Sequence, residues 1–158
     1  SPFPSEACLL KAHVLGNETP LRLKIRIPYW CREAFRIRVN GEALPPAEPG
    51  AGYYPLERSF RDGDVVTVEM PYALHLCYTE DPYEGYPAAS VMYGPLVMTA
   101  LDERTDWIRL NLPPVLEDAF DIRWEDGLPV LWYDGLRFVP SYAAQNVAYH
   151  TYFQINMG

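Results

Sequence analysis

In residues 21–27, Leu-Arg-Leu-Lys-Ile-Arg-Ile, apolar and basic side chains alternate without a miss. Successive side chains of a strand point to opposite faces, so this segment is predicted to be a half-buried strand, one face on a core and the other in water. Pro28 ends it, because proline has no N–H to give to a ladder. Residues 35–39 (Phe-Arg-Ile-Arg-Val) repeat the pattern and run into Asn40-Gly41. That pair supplies the two positive-φ positions of a type I′ turn and predicts a hairpin.

Further strands are predicted over residues 8–15, 53–60, 65–70, 73–78, 107–112, 120–124, 129–133, 136–139 and 148–155. Residues 88–101 read as one mostly apolar strand, buried on both faces and kinked at Gly94-Pro95. Residues 43–52 form a Pro/Gly-rich loop expected to be exposed and variable in shape. Residues 79–87 form an acidic, aromatic loop, and Arg61-Asp62-Gly63-Asp64, Gly127 and Asp134-Gly135 mark turns. No segment holds a three-to-four-residue apolar period over ten positions. Sixteen prolines and ten glycines among 158 residues also exclude an all-α class. At 49% hydrophobic and 22% charged the chain can build a core, and no apolar run approaches the roughly 20 residues of a membrane-spanning helix.

The expected fold is therefore all-β: an antiparallel β-sandwich of the jelly-roll or Ig-like two-sheet kind, with a short C-terminal β extension. The expected division is a sandwich over residues 1–101 and an extension, or truncated second sandwich, over residues 102–158. The latter is too short for a core of its own and is expected to pack on the first.

Charge excludes one class of partner. Residues 1–63 carry nine Lys/Arg against seven Asp/Glu, and residues 64–158 carry four against fourteen. A nucleic acid would be repelled by that second half. Arg22, Lys24, Arg26, Arg36 and Arg38 read as the wet face of a half-buried sheet rather than a basic patch. No membrane partner is expected either.

Cys8, Cys31 and Cys77 lack the close pairing of a structural zinc site, and with His13, His75 and His150 they could assemble one only by coincidence. Buried free thiols are expected. His13 and His75, within apolar strands, are read as hydrogen-bonded structural residues. Ser1-Pro2-Phe3-Pro4 has neither the basic region nor the apolar run of a signal peptide, and the sequence reads as part of something longer.

Glu80, Asp81 and Glu84 are the most suggestive acids for glycosidic hydrolysis or calcium binding, but solvated loop acids are the plainer reading. There is no G-x-S-x-G elbow, phosphate-cradling loop or H-E-x-x-H helix. Neither a catalytic residue nor a metal ligand is assigned. Aromatics make 14% of the chain, and flat rings can stack on the C–H face of a sugar. Trp107, Trp124, Trp132 and Tyr133 are the candidate carbohydrate-binding residues, the alternative being that they fill the core. Trp30, beside Pro28 and Cys31, is expected to be structural.

Several segments together resemble the C-terminal region of bacterial glycoside hydrolases of family 127. They are LRLKIRIPYWC (21–31), IRVNGE (37–42), GYY (52–54), LERSF (56–60), RDGDVVTVEMP (61–71), VMYGPLVMTAL (91–101) and FVPSYAAQNVAYHTYFQI (138–155). The resemblance is densest over residues 1–101 and thin over 102–137. It implies a β-sandwich appended to an upstream (α/α) barrel that hydrolyses β-L-arabinofuranosides. There, zinc held by cysteines and a glutamate, together with a cysteine nucleophile, would do the chemistry. Those cysteines do not carry over to Cys8, Cys31 or Cys77, so no cofactor is expected here. The implied role is a non-catalytic accessory domain whose partner is its own upstream barrel. The rival is a carbohydrate-binding module taking a plant-type oligosaccharide.

Overall fold

A computed structural model describes residues 5–31 and 33–158, and the Ser1–Pro4 segment lies outside them. The chain is all-β: among the described residues the only helical elements are three single 3₁₀ turns, at Tyr29–Cys31, Leu116–Asp118 and Ser141–Ala143. Among the described residues no helix is long and apolar enough to cross a membrane. The backbone divides into two units, Ser1–Tyr72 and Ala73–Gly158.

The first unit holds β1 (Ala7–His13), β2 (Thr19–Arg26), β3 (Arg36–Val39), β4 (Glu42–Ala43), β5 (Tyr53–Phe60) and β6 (Val65–Pro71). They form a four-stranded sheet in the order β1-β6-β3-β4 and a two-stranded sheet β2-β5. Ile37 and Val39 of β3 and Val66 and Val68 of β6 meet Leu56 and Phe60 of β5 in one core, with Leu23 and Ile25 of β2 packed against it. This is a two-layer sandwich built from alternate residues of each strand.

The alternation of residues 21–27 is read as a gradient. Leu21 is 42% exposed and Ile27 only 4%, with Leu23 and Ile25 between them, so β2 dips into the core at its C-terminal end. Arg22, Lys24 and Arg26 lie on the wet face. Arg22 stands opposite Glu57 in register at 3.6 Å, an open pair that adds little stability.

The Asn40-Gly41 turn forms as expected, with φ of 54° and 84°. Asn40 does a second job. Its Oδ1 accepts the Val65 N–H at 2.8 Å and its Nδ2 donates to Asp64 Oδ1 at 2.7 Å, fixing the hairpin to the start of β6. That donation, backed by the Arg61 backbone N–H, holds the Asp64 carboxyl below the usual carboxylate range.

The second unit holds β7 (Leu74–Tyr78), β8 (Ala88–Tyr93), β9 (Leu96–Leu101), β10 (Arg109–Leu112), β11 (Asp121–Glu125), β12 (Leu128–Tyr133), β13 (Leu136–Pro140), β14 (Tyr149–His150) and β15 (Phe153–Met157). They make one nine-stranded sheet, β10-β15-β8-β9-β13-β12-β11, with β7 added on β8 and β14 on β9. Its core includes Met98, Leu110, Leu131, Phe138 and Phe153, all fully buried. Phe138 sits between two rings, 5.5 Å from Phe120 edge-on and 5.3 Å from Phe153.

Three features differ from the sequence expectation. Gly94-Pro95 is a hairpin turn rather than a kink: Tyr93 pairs with Leu96, and Gly94 takes φ 55°. β10 and β15 run parallel, whereas antiparallel pairing was expected throughout. A parallel pair needs a long crossover, and the hairpins β11–β13 lie between these two strands. Finally, the division expected after Leu101 falls between β9 and β10, inside one sheet. β13 pairs with β9 and β15 with β8, so hydrogen bonding gathers residues 73–101 with the C-terminal strands. That shared sheet gives residues 102–158 a core they are too short to build alone.

Candidate functional site

The acidic aromatic segment before β8 contains a miniature hairpin. Tyr83 and Tyr86 exchange backbone hydrogen bonds of 2.9 and 3.0 Å around Glu84 and Gly85, whose φ values of 50° and 79° fit a type I′ turn. Two residues paired in this way project their side chains to one side of the ribbon. Trp107 and Arg109, two apart along the chain, also face together, while Ile108 between them is buried.

The two segments therefore meet as two stacks of flat groups. Trp107 lies on Tyr83 with ring centroids 4.2 Å apart and an interplanar angle of 15°. The Arg109 guanidinium carbon lies 3.6 Å from the Tyr86 ring centroid. Gln154 of β15, only 4% exposed, ties the arrangement from behind. Its Oε1 accepts from Arg109 Nε and Nη2 at 3.3 and 3.0 Å, and its Nε2 donates to the Tyr83 carbonyl at 3.4 Å.

The stack still meets water: Tyr83 is 40% exposed, Trp107 38% and Tyr86 36%. The Trp107 indole N–H, the two phenolic hydroxyls and Arg109 Nη1 take no partner among the described residues.

The other sequence candidates behave differently. Trp124 and Trp132 belong to the β11–β12 hairpin, where Trp132 pairs with Asp121 and Trp124 with Pro129. Their offset is odd, so the two rings lie on opposite faces and cannot form one platform. The Trp132 indole N–H donates to Glu125 Oε1 at 3.0 Å, and Arg137 donates to Glu125 Oε2 through Nε and Nη2 at 3.2 and 2.8 Å. The Arg137 bonds first, then that of Trp132, hold the Glu125 carboxyl below its ordinary value.

Tyr133 packs on Phe120 at 5.3 Å, and its hydroxyl both donates to the Asn111 carbonyl and accepts the Asn111 N–H, each at 2.9 Å. Trp124 is 39% exposed but has no ring partner among the described residues. Trp30 packs edge-on against Tyr72 at 5.4 Å.

Glu80, Asp81 and Glu84 are all exposed, and no group of three His, Cys, Asp or Glu converges on a point among the described residues. All three cysteines are free, but only Cys31 is buried, where burial pushes its thiol up. Cys8 is half-buried and Cys77 exposed, because Cys77 stands near the open end of β7. His13 is exposed on β1, His150 meets the Arg104 carbonyl at 2.8 Å, and burial lowers His75.

The Pro/Gly loop is less free than expected. Tyr54 Oη donates to the Pro45 carbonyl at 3.1 Å, and Ile27 N–H to the Gly52 carbonyl at 2.9 Å. It overhangs a cavity of about 460 Å³ floored by Ile27 and Phe35. Arg36 at its wall directs Nη1 to the carbonyls of Glu33 and Phe35, at 2.7 and 2.9 Å.

The sequence singles out Trp107 and, separately, the acidic loop at 79–87, but not Tyr83, Tyr86, Arg109 or Gln154. A Tyr-x-x-Tyr spacing across Glu-Gly was the available signal, since it is hairpin spacing.

Known proteins place this architecture. A β-L-arabinofuranosidase of family GH127 from Geobacillus stearothermophilus superposes with a TM-score of 0.71 at 20% identity, covering 99% of this chain and 29% of its own. A GH127 β-arabinofuranosidase gives 0.69 at 16% identity, over 99% of this chain and 31% of its own. A structure described as a glycoside hydrolase gives 0.67 at 18% identity, over 97% and 31%. At these identities the likeness shows the fold, and the chain spans less than a third of the length of each. No curated protein sequence matches. In sequence, residues 3–72, the span of the first unit, match the family model described as "Beta-L-arabinofuranosidase, GH127 middle domain".

Proposed function

We propose that this chain is the non-catalytic β-rich accessory part of a β-L-arabinofuranosidase-type glycoside hydrolase and that it scaffolds an upstream (α/α) barrel. The observation carrying this reading is the match over residues 3–72 to a family described as the middle domain of GH127 β-L-arabinofuranosidase. The share of the solved relatives covered, about 29–31%, leaves room in those proteins for a much larger domain. In this reading zinc belongs to the barrel, and the stabilising term is apolar burial, roughly 25 cal/mol per Å² removed from water.

The test compares the full-length parent enzyme with a version ending before this region, by thermal melting and by hydrolysis of an aryl β-L-arabinofuranoside. A lower melting temperature in the shortened enzyme, with no hydrolysis by the isolated 158-residue chain, is expected. Unchanged melting and unchanged turnover would overturn the scaffold role. Chelator-resistant hydrolysis by the isolated chain would overturn the non-catalytic assignment.

A further inference from the structure

We infer that the Tyr83–Trp107 and Tyr86–Arg109 stacks form a binding site for a neutral oligosaccharide. This goes beyond the scaffold reading and does not rest on it.

Three features separate the site from rings that merely fill space. First, it is preorganised. Gln154, itself buried, fixes both Arg109 and the Tyr83 carbonyl, so the flat groups are held before any ligand arrives. Second, it presents apolar ring surface and hydrogen-bonding atoms side by side. The indole N–H of Trp107, two phenolic hydroxyls and one guanidinium nitrogen take no partner among the described residues, while the rings remain more than a third exposed. Trp132 and Tyr133 offer the contrast, their polar atoms being engaged by Glu125 and Asn111.

Third, its charges narrow the ligand. Arg109 already covers Tyr86, so a cation seeking that ring face meets a like charge. Glu84 and Asp106 are the sequence neighbours of Tyr83 and Trp107, and residues 73–158 carry four Lys/Arg against twelve Asp/Glu, so an anion is repelled from the surroundings. What remains is an uncharged molecule with one flat C–H face and several hydroxyls. A pentose or hexose ring in a neutral oligosaccharide has that form.

The experiment is a titration of the ¹⁵N-labelled 158-residue chain, which has four tryptophans and hence four indole N–H signals. Trp107 is assigned as the signal absent from Trp107→Ala. Arabinotriose and xylotriose serve as neutral probes, trigalacturonate as the acidic one and choline as the cationic one. A neutral trisaccharide is expected to shift the Trp107 signal with millimolar affinity while the Trp132 signal stays in place. Trp107→Ala should weaken binding at least tenfold, followed by ligand-detected transfer from the sugar. Arg109→Lys, which keeps the charge but loses the planar stack, should weaken it severalfold. Trp124→Ala should bind as the parent does.

No shift with either neutral trisaccharide overturns the proposal. So does undiminished binding by both Trp107→Ala and Arg109→Lys, or a preference for trigalacturonate or choline. A variant with an altered melting temperature is replaced by Tyr83→Leu, judged by the same criteria. Because the isolated chain is titrated, failure here leaves the scaffold role standing, and failure of the scaffold role leaves this site intact.

Discussion

Two aromatic surfaces in the second unit have nearly opposite polar accounting. Around β11–β13, Trp132 and Tyr133 have their N–H and O–H groups engaged, by Glu125 and by Asn111. Their rings lie against neighbours such as Phe120 and Val130. Around the Tyr83–Tyr86 hairpin the rings are also stacked, yet their polar atoms face no partner among the described residues. A ring whose polar end is already satisfied is finished as structure. Stacking geometry alone does not distinguish binding surfaces from core; the state of the attached N–H and O–H groups does.

The finished side of the comparison can be broken hardest at Phe138, which is fully buried between Phe120 and Phe153. Phe138→Ala is expected to cost about 3–5 kcal/mol, as truncated core aromatics do, read as a fall in the urea midpoint. A loss below about 1 kcal/mol would mean that this trio is not the centre of the second unit. Next in size is Tyr133→Phe. It keeps the ring on Phe120 and removes both bonds to Asn111, so about 1 kcal/mol should go, with little change in the unfolding slope.

Thr99 sharpens the same principle from the other direction. It is fully buried on β9, and its hydroxyl has no partner among the described residues. A buried unpaired hydroxyl costs stability, so Thr99→Val should raise the melting point, by about 1 kcal/mol of stability. A destabilised variant would show that the hydroxyl is in fact engaged.

Glu125 adds a pH signature. Its folded carboxyl titrates below its unfolded value, chiefly through Arg137 and then Trp132. The contribution is therefore full above the ordinary carboxylate range near 4.5 and is lost as pH falls through the lowered folded value. Denaturant midpoints of parent and Glu125→Gln should differ at neutral pH and converge in acid. Curves parallel down to the acid limit would detach Glu125 from this account.

Local periodicity made much of this fold legible. The alternation at residues 21–27 and the Asn40-Gly41 turn depend on neighbours in the chain, and both appear in the structure. Gly94-Pro95 was misread because an apolar run buried on both faces looks the same whether it is one bent strand or two paired ones. The parallel β10–β15 pair was not readable for a related reason: strand order is set by pairing across some forty residues, not by local pattern. At the candidate site Trp107 was visible as a residue type. Its partners were not, because Tyr83, Arg109 and Gln154 come together only when the β15 ladder forms.

One further change in stability separates the two surfaces. Trp107 contributes to an open stack in which both rings are more than a third exposed, and its indole N–H has no partner among the described residues. Part of its ring is in water before and after unfolding, so its removal forfeits less than that of a fully buried ring, about 1–2 kcal/mol against about 3–5 kcal/mol for Phe138→Ala. The fall in the denaturant midpoint of Trp107→Ala should therefore stay well short of that of Phe138→Ala. Tyr133→Phe should lose stability while retaining whatever the Tyr83–Trp107 stack binds. If Trp107→Ala instead destabilised the chain as much as Phe138→Ala, the open stack would be a structural joint like the closed one. The unpartnered atoms at its rim would then be incidental, and the contrast between the two surfaces would lose its functional meaning.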